Sequence, residues 1–159
     1  MGIILAIDEL VSIRKAIKNN NKKLVFTNGC FDIIHKGHID YLNEAKKLGD
    51  YLVVGVNSDA SVKILKGLNR PILPQDERAF IISNLIAVDF VSIFDEETPL
   101  KLIENIIPDF LIKGADWSID KVVGKEVVEK NGGKVLTITL TPNKSTTNTI
   151  ETILKKYNN

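Results

Sequence analysis

Apolar residues come in short unbroken runs separated by stretches with helical spacing, and this alternation sets the expected architecture. Leu24–Asn28, Tyr51–Asn57, Asp89–Phe94, Asp109–Gly114 and Lys134–Leu140 each read as a strand buried on both faces. Between them the spacing changes to that of a helix. Ile39, Leu42, Ala45 and Leu48 fall on one helical face that Gly49 terminates, and a short helix is predicted over Asp59–Leu65. Pro74-Gln75-Asp76-Glu77 is an acidic start for a helix, and Thr98-Pro99 opens another that Pro108 closes. Lys121–Lys130 is predicted helical up to Asn131-Gly132-Gly133, and a last helix is predicted over Thr149–Lys156. Residues 66–74, with a glycine, an asparagine and two prolines, read as a loop. Ahead of the first strand, Leu10, Ile13 and Ile17 share a face of a helix that Asp8 is expected to cap. Residues 1–21 thus form a helical extension whose expected role is packing or subunit contact.

Strands alternating with helices predict an α/β fold: a Rossmann-like, doubly wound parallel sheet of about five strands. Ligands of such sheets bind beyond the carboxyl ends of the strands, where strand order reverses. The polar and glycine-rich residues follow the strands as that requires. They are Asn28-Gly29 through His38, Asn57-Ser58-Asp59, Lys113 to Trp117, and Ser145-Thr146-Thr147.

Composition narrows the function classes. With 159 residues, 44% hydrophobic and 26% charged, the chain is expected to form a single domain spanning 1–159. A formal net charge of +1 supplies no global field for nucleic acid. The apolar start is too short to span a bilayer, and a lone cysteine, Cys30, fits a reducing compartment, so a cytoplasmic protein without nucleic-acid or membrane partners is expected. P-loop, dinucleotide-fingerprint, structural-zinc and nucleophile-elbow patterns are all missing from the sequence. What remains is His35-Lys36-Gly37-His38. Two imidazoles three residues apart at a helix start can face one ligand, with Gly37 admitting its backbone closely, and both can donate to phosphate oxygens. The same four residues also fit one capping and one core histidine.

The stretch FTNGCFDIIHKGHIDYLNEAKKLGD resembles the opening of the cytidylyltransferase-like nucleotidyltransferases, with their G-x-F-D-x-x-H-x-G-H block. Residues 56–117 and STTNTI extend the likeness. More narrowly, the chain resembles the adenylyltransferase domain of bifunctional heptose kinase/adenylyltransferases, here as a stand-alone protein. The resemblance implies transfer of AMP from ATP, with Mg²⁺, to a heptose 1-phosphate, giving ADP-heptose and pyrophosphate for lipopolysaccharide or another surface glycan. It also implies a homodimer. By matching position, His35, His38 and Lys66 would be catalytic. Cys30, Phe31, Gly37, Asp116, Trp117, Ser145, Thr146 and Thr147 would bind nucleotide. Lys63, Arg78 and Asn57 would bind the second substrate, and Asp32 would orient the loop. Each has a plainer alternative: solvated helix-end lysines, a core tryptophan, an N-cap at Ser145, an arginine paired to a helix acid, a capping Asp59, a packed Cys30. Ala115 stands where relatives often have glycine. The arginine that precedes Ser-Thr-Thr in glycerol-phosphate cytidylyltransferases is missing, which leaves Lys144 as a possible phosphate contact. A CTP-dependent enzyme acting on glycerol 3-phosphate, or a silent nucleotide-binding module, are the competing expectations.

Overall fold

A computed structural model of the chain describes residues 1–142 and 144–157. Six parallel strands form one sheet in the order β1-β4-β3-β2-β5-β6: β1 (Ile3–Ile4), β2 (Leu24–Gly29), β3 (Tyr51–Asn57), β4 (Phe90–Phe94), β5 (Phe110–Gly114) and β6 (Lys134–Ile138). The five strands expected from the apolar runs are present. The sixth, β1, lies in the segment expected to be helical only. Its two residues pair with Phe90 and Val91 at the edge of β4.

Alternation along each strand sorts the side chains into two apolar layers. Leu24, Phe26, Val53 and Leu111 face one side, against α1 (Ile7–Asn19), α5 (Leu100–Ile106) and α6 (Lys125–Lys130). Val25, Leu52, Val54, Val56 and Ile112 face the other, against α2 (Lys36–Lys46) and α4 (Gln75–Ser83). Two further helices, α3 (Asp59–Lys66) and α7 (Thr146–Tyr157), flank the carboxyl edge of the sheet and bury less.

Some boundaries differ from expectation for local reasons. α1 begins after Ala6, not Asp8, because Glu9 reaches back to accept the Ala6 N–H at 2.8 Å. Ser58, not Asp59, caps α3, accepting the Ser61 N–H. The predicted Lys121–Lys130 helix is split: Ile119–Lys121 is a 3₁₀ turn, and α6 starts only after Gly124, whose φ of 86° breaks the helix. α7 starts at Thr146, a turn earlier than predicted.

Carboxylates secure the amino edge of the sheet. Asp109 accepts from the Leu24 N–H at 2.9 Å, Arg14 Nη1 at 2.9 Å and Lys23 Nζ at 3.1 Å. The same Arg14 side chain donates to the Ile106 and Ile107 carbonyls, closing the end of α5. Asp50 accepts from the Lys23 N–H and Lys22, and Asp89 from the Leu52 N–H and Lys46. The first helix is therefore tied into the fold.

Candidate active site

Strand order reverses between β2 and β5, and a cleft of about 480 Å³ opens there, at the carboxyl ends of these strands. Its near wall is the turn from β2 into α2. Two non-glycine residues of that turn, Phe31 and Ile33, hold left-handed backbone with φ of 48° and 49°, a conformation kept only where the surroundings enforce it. Phe31 is buried and meets the His38 ring edge-on, centroids 5.4 Å apart. His35 caps α2 from an extended backbone, and its carbonyl accepts the His38 N–H at 2.9 Å.

The two imidazoles stack, with centroids 3.9 Å apart and planes 18° from parallel. Gly37 permits this, since a β-carbon there would press on the His35 ring and on Lys144 at 3.1 Å. Burial, and then the neighbouring His35, lower His38 from 6.5 to about 4; burial and then Lys144 lower His35. Both rings are thus neutral at pH 7. Their Nδ1 atoms are buried and lack a hydrogen-bond partner among the described residues. A proton there would be an unpaired buried donor, which favours the tautomer with the proton on Nε2 in both rings.

Asp32 does the orienting. Its carboxylate accepts from Arg70 Nε at 2.7 Å and from the Ile72 and Leu73 N–H groups at 2.8 and 3.0 Å. Burial pushes this carboxyl up, but these donors outweigh it and hold it below its ordinary range. Asp32 thereby fastens residues 70–73 across the cleft, just beyond Lys66 and Gly67. The φ of 93° at Gly67 is the turn by which the chain leaves α3. On the far side, Thr146 Oγ1 donates to the Asp32 carbonyl at 2.6 Å, and Ser145 caps α7 by accepting the Asn148 N–H at 3.1 Å. The expected N-cap is real, and Ser145, Thr146 and Thr147 still line the cleft.

The structure brings together most residues singled out from sequence. His35, His38, Lys66, Cys30, Phe31, Gly37, Asp116, Trp117, Ser145, Thr146, Thr147 and Asn57 all line the cleft. Asn57 does so with its amide donating to Ser61 Oγ at 2.9 Å. Burial raises the Cys30 thiol despite the nearby cations, which is unlike a nucleophile.

Two residues fall elsewhere. Arg78, expected to contact substrate, is fully buried behind the wall. It donates to the Leu73, Cys30 and Asn57 carbonyls and pairs with Asp59 at 2.8 Å, so it braces the cleft without facing it. Lys63 lies outside the lining, because it sits on a turn of α3 pointing to solvent. Asn28 and Lys113, placed at the strand ends from sequence but given no role, also line the cleft, as do Arg70 and Tyr41, which sequence reasoning passed over; the Tyr41 hydroxyl meets Thr27 Oγ1 at 2.7 Å.

Charge in the cleft is one-sided. Lys66, Arg70, Lys113 and Lys144 line it against Asp32 and Asp116, and Asp32 is engaged by Arg70. Neutral N–H donors surrounded by excess cations make a site for an anion with several oxygens.

The family model described as Cytidylyltransferase-like matches residues 26–156. The chain is 56% identical over 147 residues to the bifunctional protein HldE of Geotalea uraniireducens, covering 92% of this chain and 30% of that protein. It is 53% identical over 150 residues to HldE of Campylobacter fetus subsp. fetus, covering 94% and 31%. The chain thus spans less than a third of the length of these curated relatives. Among solved structures, the lipopolysaccharide core biosynthesis protein of Thermoplasma volcanium superposes with a TM-score of 0.64 at 32% identity, over 77% of this chain and 99% of that one. Pantothenate synthetase from Thermus thermophilus, at 14% identity and a TM-score of 0.57, shares the fold.

Proposed function

This chain belongs to the cytidylyltransferase-like family of nucleotidyltransferases, and we propose that it transfers AMP from ATP to a heptose 1-phosphate, releasing pyrophosphate. The observation that carries the reading is the stacked His35–His38 pair lining a cation-rich cleft at the reversal of strand order. The acceptor's phosphate oxygen forms a bond to the α-phosphorus as the bond from that phosphorus to the bridging oxygen breaks, and pyrophosphate leaves with the electron pair. No side chain needs to be alkylated, acylated or phosphorylated. The chain's work is positioning and charge stabilisation.

His35 and His38 donate from Nε2 to phosphate oxygens, neutral and without needing a proton from solvent. Lys66 and Lys144 add positive charge from opposite walls. Ser145, Thr146 and Thr147, at the start of α7, offer hydroxyls and the positive end of a helix to the nucleotide phosphates. Asp116 and Trp117 take the nucleoside side, and Asn57 the acceptor side. No cluster of three histidine, cysteine or acidic residues suited to a metal occurs among the described residues. Mg²⁺ is accordingly read as part of the substrate, carried by the triphosphate and its waters.

The HldE relatives and the Thermoplasma protein's description support a sugar nucleotide for surface-glycan synthesis as the product. A homodimer in the cytoplasm completes the reading; no helix among the described residues is long and apolar enough to cross a membrane. Pyrophosphate release, measured with ATP or CTP against D-glycero-D-manno-heptose 1-phosphate and glycerol 3-phosphate, tests the proposal. Turnover is expected with ATP and the heptose phosphate. Turnover with CTP alone would replace it by a cytidylyltransferase, and no turnover with any pair would leave a binding module.

A further inference from the structure

Lys113 is counted among the cations of the cleft but has no assigned role in the reading above. It stands next to last in β5. Continuing the Phe26–Leu111 register two residues onward sets it beside Asn28 of β2, across the reversal of strand order. Its ammonium donates to Asn28 Oδ1 and lies 5.7 Å from the centroid of the Trp117 ring. Burial lowers it from 10.5 to about 8. Lys113 belongs to none of the ion pairs formed among the described residues, and Asp116 favours its charge only from beyond 4.0 Å. A neutral amide and a ring face orient an ammonium but do not neutralise it. Arg70, by contrast, already has its carboxylate, and Lys66 and Lys144 are exposed to water. Lys113 is a half-buried, pre-aimed cation in a ligand cleft whose counter-charge is not supplied by the described fold.

We infer that Lys113 is a phosphate-binding residue of the transfer reaction, its ammonium aimed by Asn28 and Trp117 at a phosphoryl oxygen on the floor of the cleft. Two oxygens of the same chemistry fit that place, one on the nucleotide α-phosphoryl and one on the acceptor's phosphate. Lys113 gives up no proton in the step and holds the charge while the new P–O bond forms and pyrophosphate departs. The inference rests on the nucleotidyl-transfer reading for its ligand, but not on which base or sugar is used.

The test compares the full chain with Lys113→Met, Lys113→Gln and Lys113→Arg. ATP affinity is measured by calorimetry, ligand-free Tm by thermal unfolding, and kinetics by pyrophosphate release. Met and Gln are expected to lower kcat/KM at least fiftyfold with Tm equal to or above that of the parent, and Arg to recover at least fivefold over Met. ATP affinity weakened tenfold or more assigns the oxygen to the nucleotide. Unchanged ATP affinity with a raised KM for the acceptor, or a lowered kcat, assigns it to the acceptor. Activity of Met or Gln within threefold of the parent overturns the inference, as does a fall in Tm with ATP affinity and kinetic constants unchanged. If the parent forms no product with any pair, the transfer reading has failed. Binding of ATP and inorganic pyrophosphate then decides for Lys113: tenfold weaker in Met and Gln upholds it, and equal affinity overturns it.

Discussion

The two edges of the sheet solve opposite problems with the same residue types. At the amino edge, Asp50, Asp89 and Asp109 each immediately precede a strand, and each accepts both a backbone N–H within or just before the adjacent strand and a lysine or arginine. Each of these three carboxylates has its cationic counterpart, and the result is register and stability. At the carboxyl edge, cations outnumber available acids among the described residues, and two residues hold strained backbone. Unmet polar capacity is costly in the free protein and useful once a ligand meets it. The lesson is that function is sought where the charge accounting fails to close, on a scaffold whose other edge is held by paired carboxylates.

Four experiments would break or sharpen this contrast. The largest effect is expected from Asp109→Ala, which leaves Arg14 and the Leu24 N–H without their acceptor. Stability should fall by about 3 kcal/mol in urea unfolding, with kcat/KM within about twofold of the parent; loss of activity without loss of stability would erase the distinction between the edges. His38→Ala should do the reverse, lowering kcat by at least about a hundredfold, or roughly 2.7 kcal/mol of barrier, with Tm shifted by only a few degrees. A variant with near-normal kcat would remove His38 from the mechanism.

Asp32→Asn keeps the shape but weakens the hold on Arg70 and on the Ile72 and Leu73 N–H groups. The expected outcome is a KM raised about tenfold with kcat changed less; an unchanged KM would mean that residues 70–73 stay in place without it. The smallest effect concerns pH. His38 takes its proton near 4 in the folded chain but near 6.5 when unfolded, so the unfolded state binds the proton first on acidification. The stability it contributes is present above pH 6.5 and is lost as pH falls toward 4. His38→Gln should make the decline in Tm over that window shallower by a few degrees; parallel curves would show that the imidazole is not held neutral.

How much of this was legible in the sequence follows from the range of the interactions. The five apolar strands and the His35-Lys36-Gly37-His38 cluster are local patterns, and both were read directly. The strand β1 was not, because two paired residues within a uniformly apolar MGIILAI carry no period. Arg78 was read as facing substrate, whereas its partners are set by the fold: the Cys30 carbonyl lies 48 residues away and Asp59 lies 19. Lys113 meets Asn28 across 85 residues, and Arg70 meets Asp32 across 38. Such pairings exist only once the strand order is known. The net charge of +1 likewise concealed the local excess of cations in the cleft.

The two-residue strand β1 has a colloidal consequence. Gly2 donates to the Ser83 carbonyl, Ile3 to that of Asp89 and Leu5 to that of Val91, so the outer backbone at the start of β4 is already occupied. A β-carbon at Gly2 would come within 2.6 Å of the Val88 carbonyl oxygen, so a larger residue there would prise the segment away. An open row of donors and acceptors along an apolar strand is a template for edge-to-edge aggregation. The segment of residues 2–5 thus acts as a guard on the sheet's margin, and its removal would be felt first as turbidity.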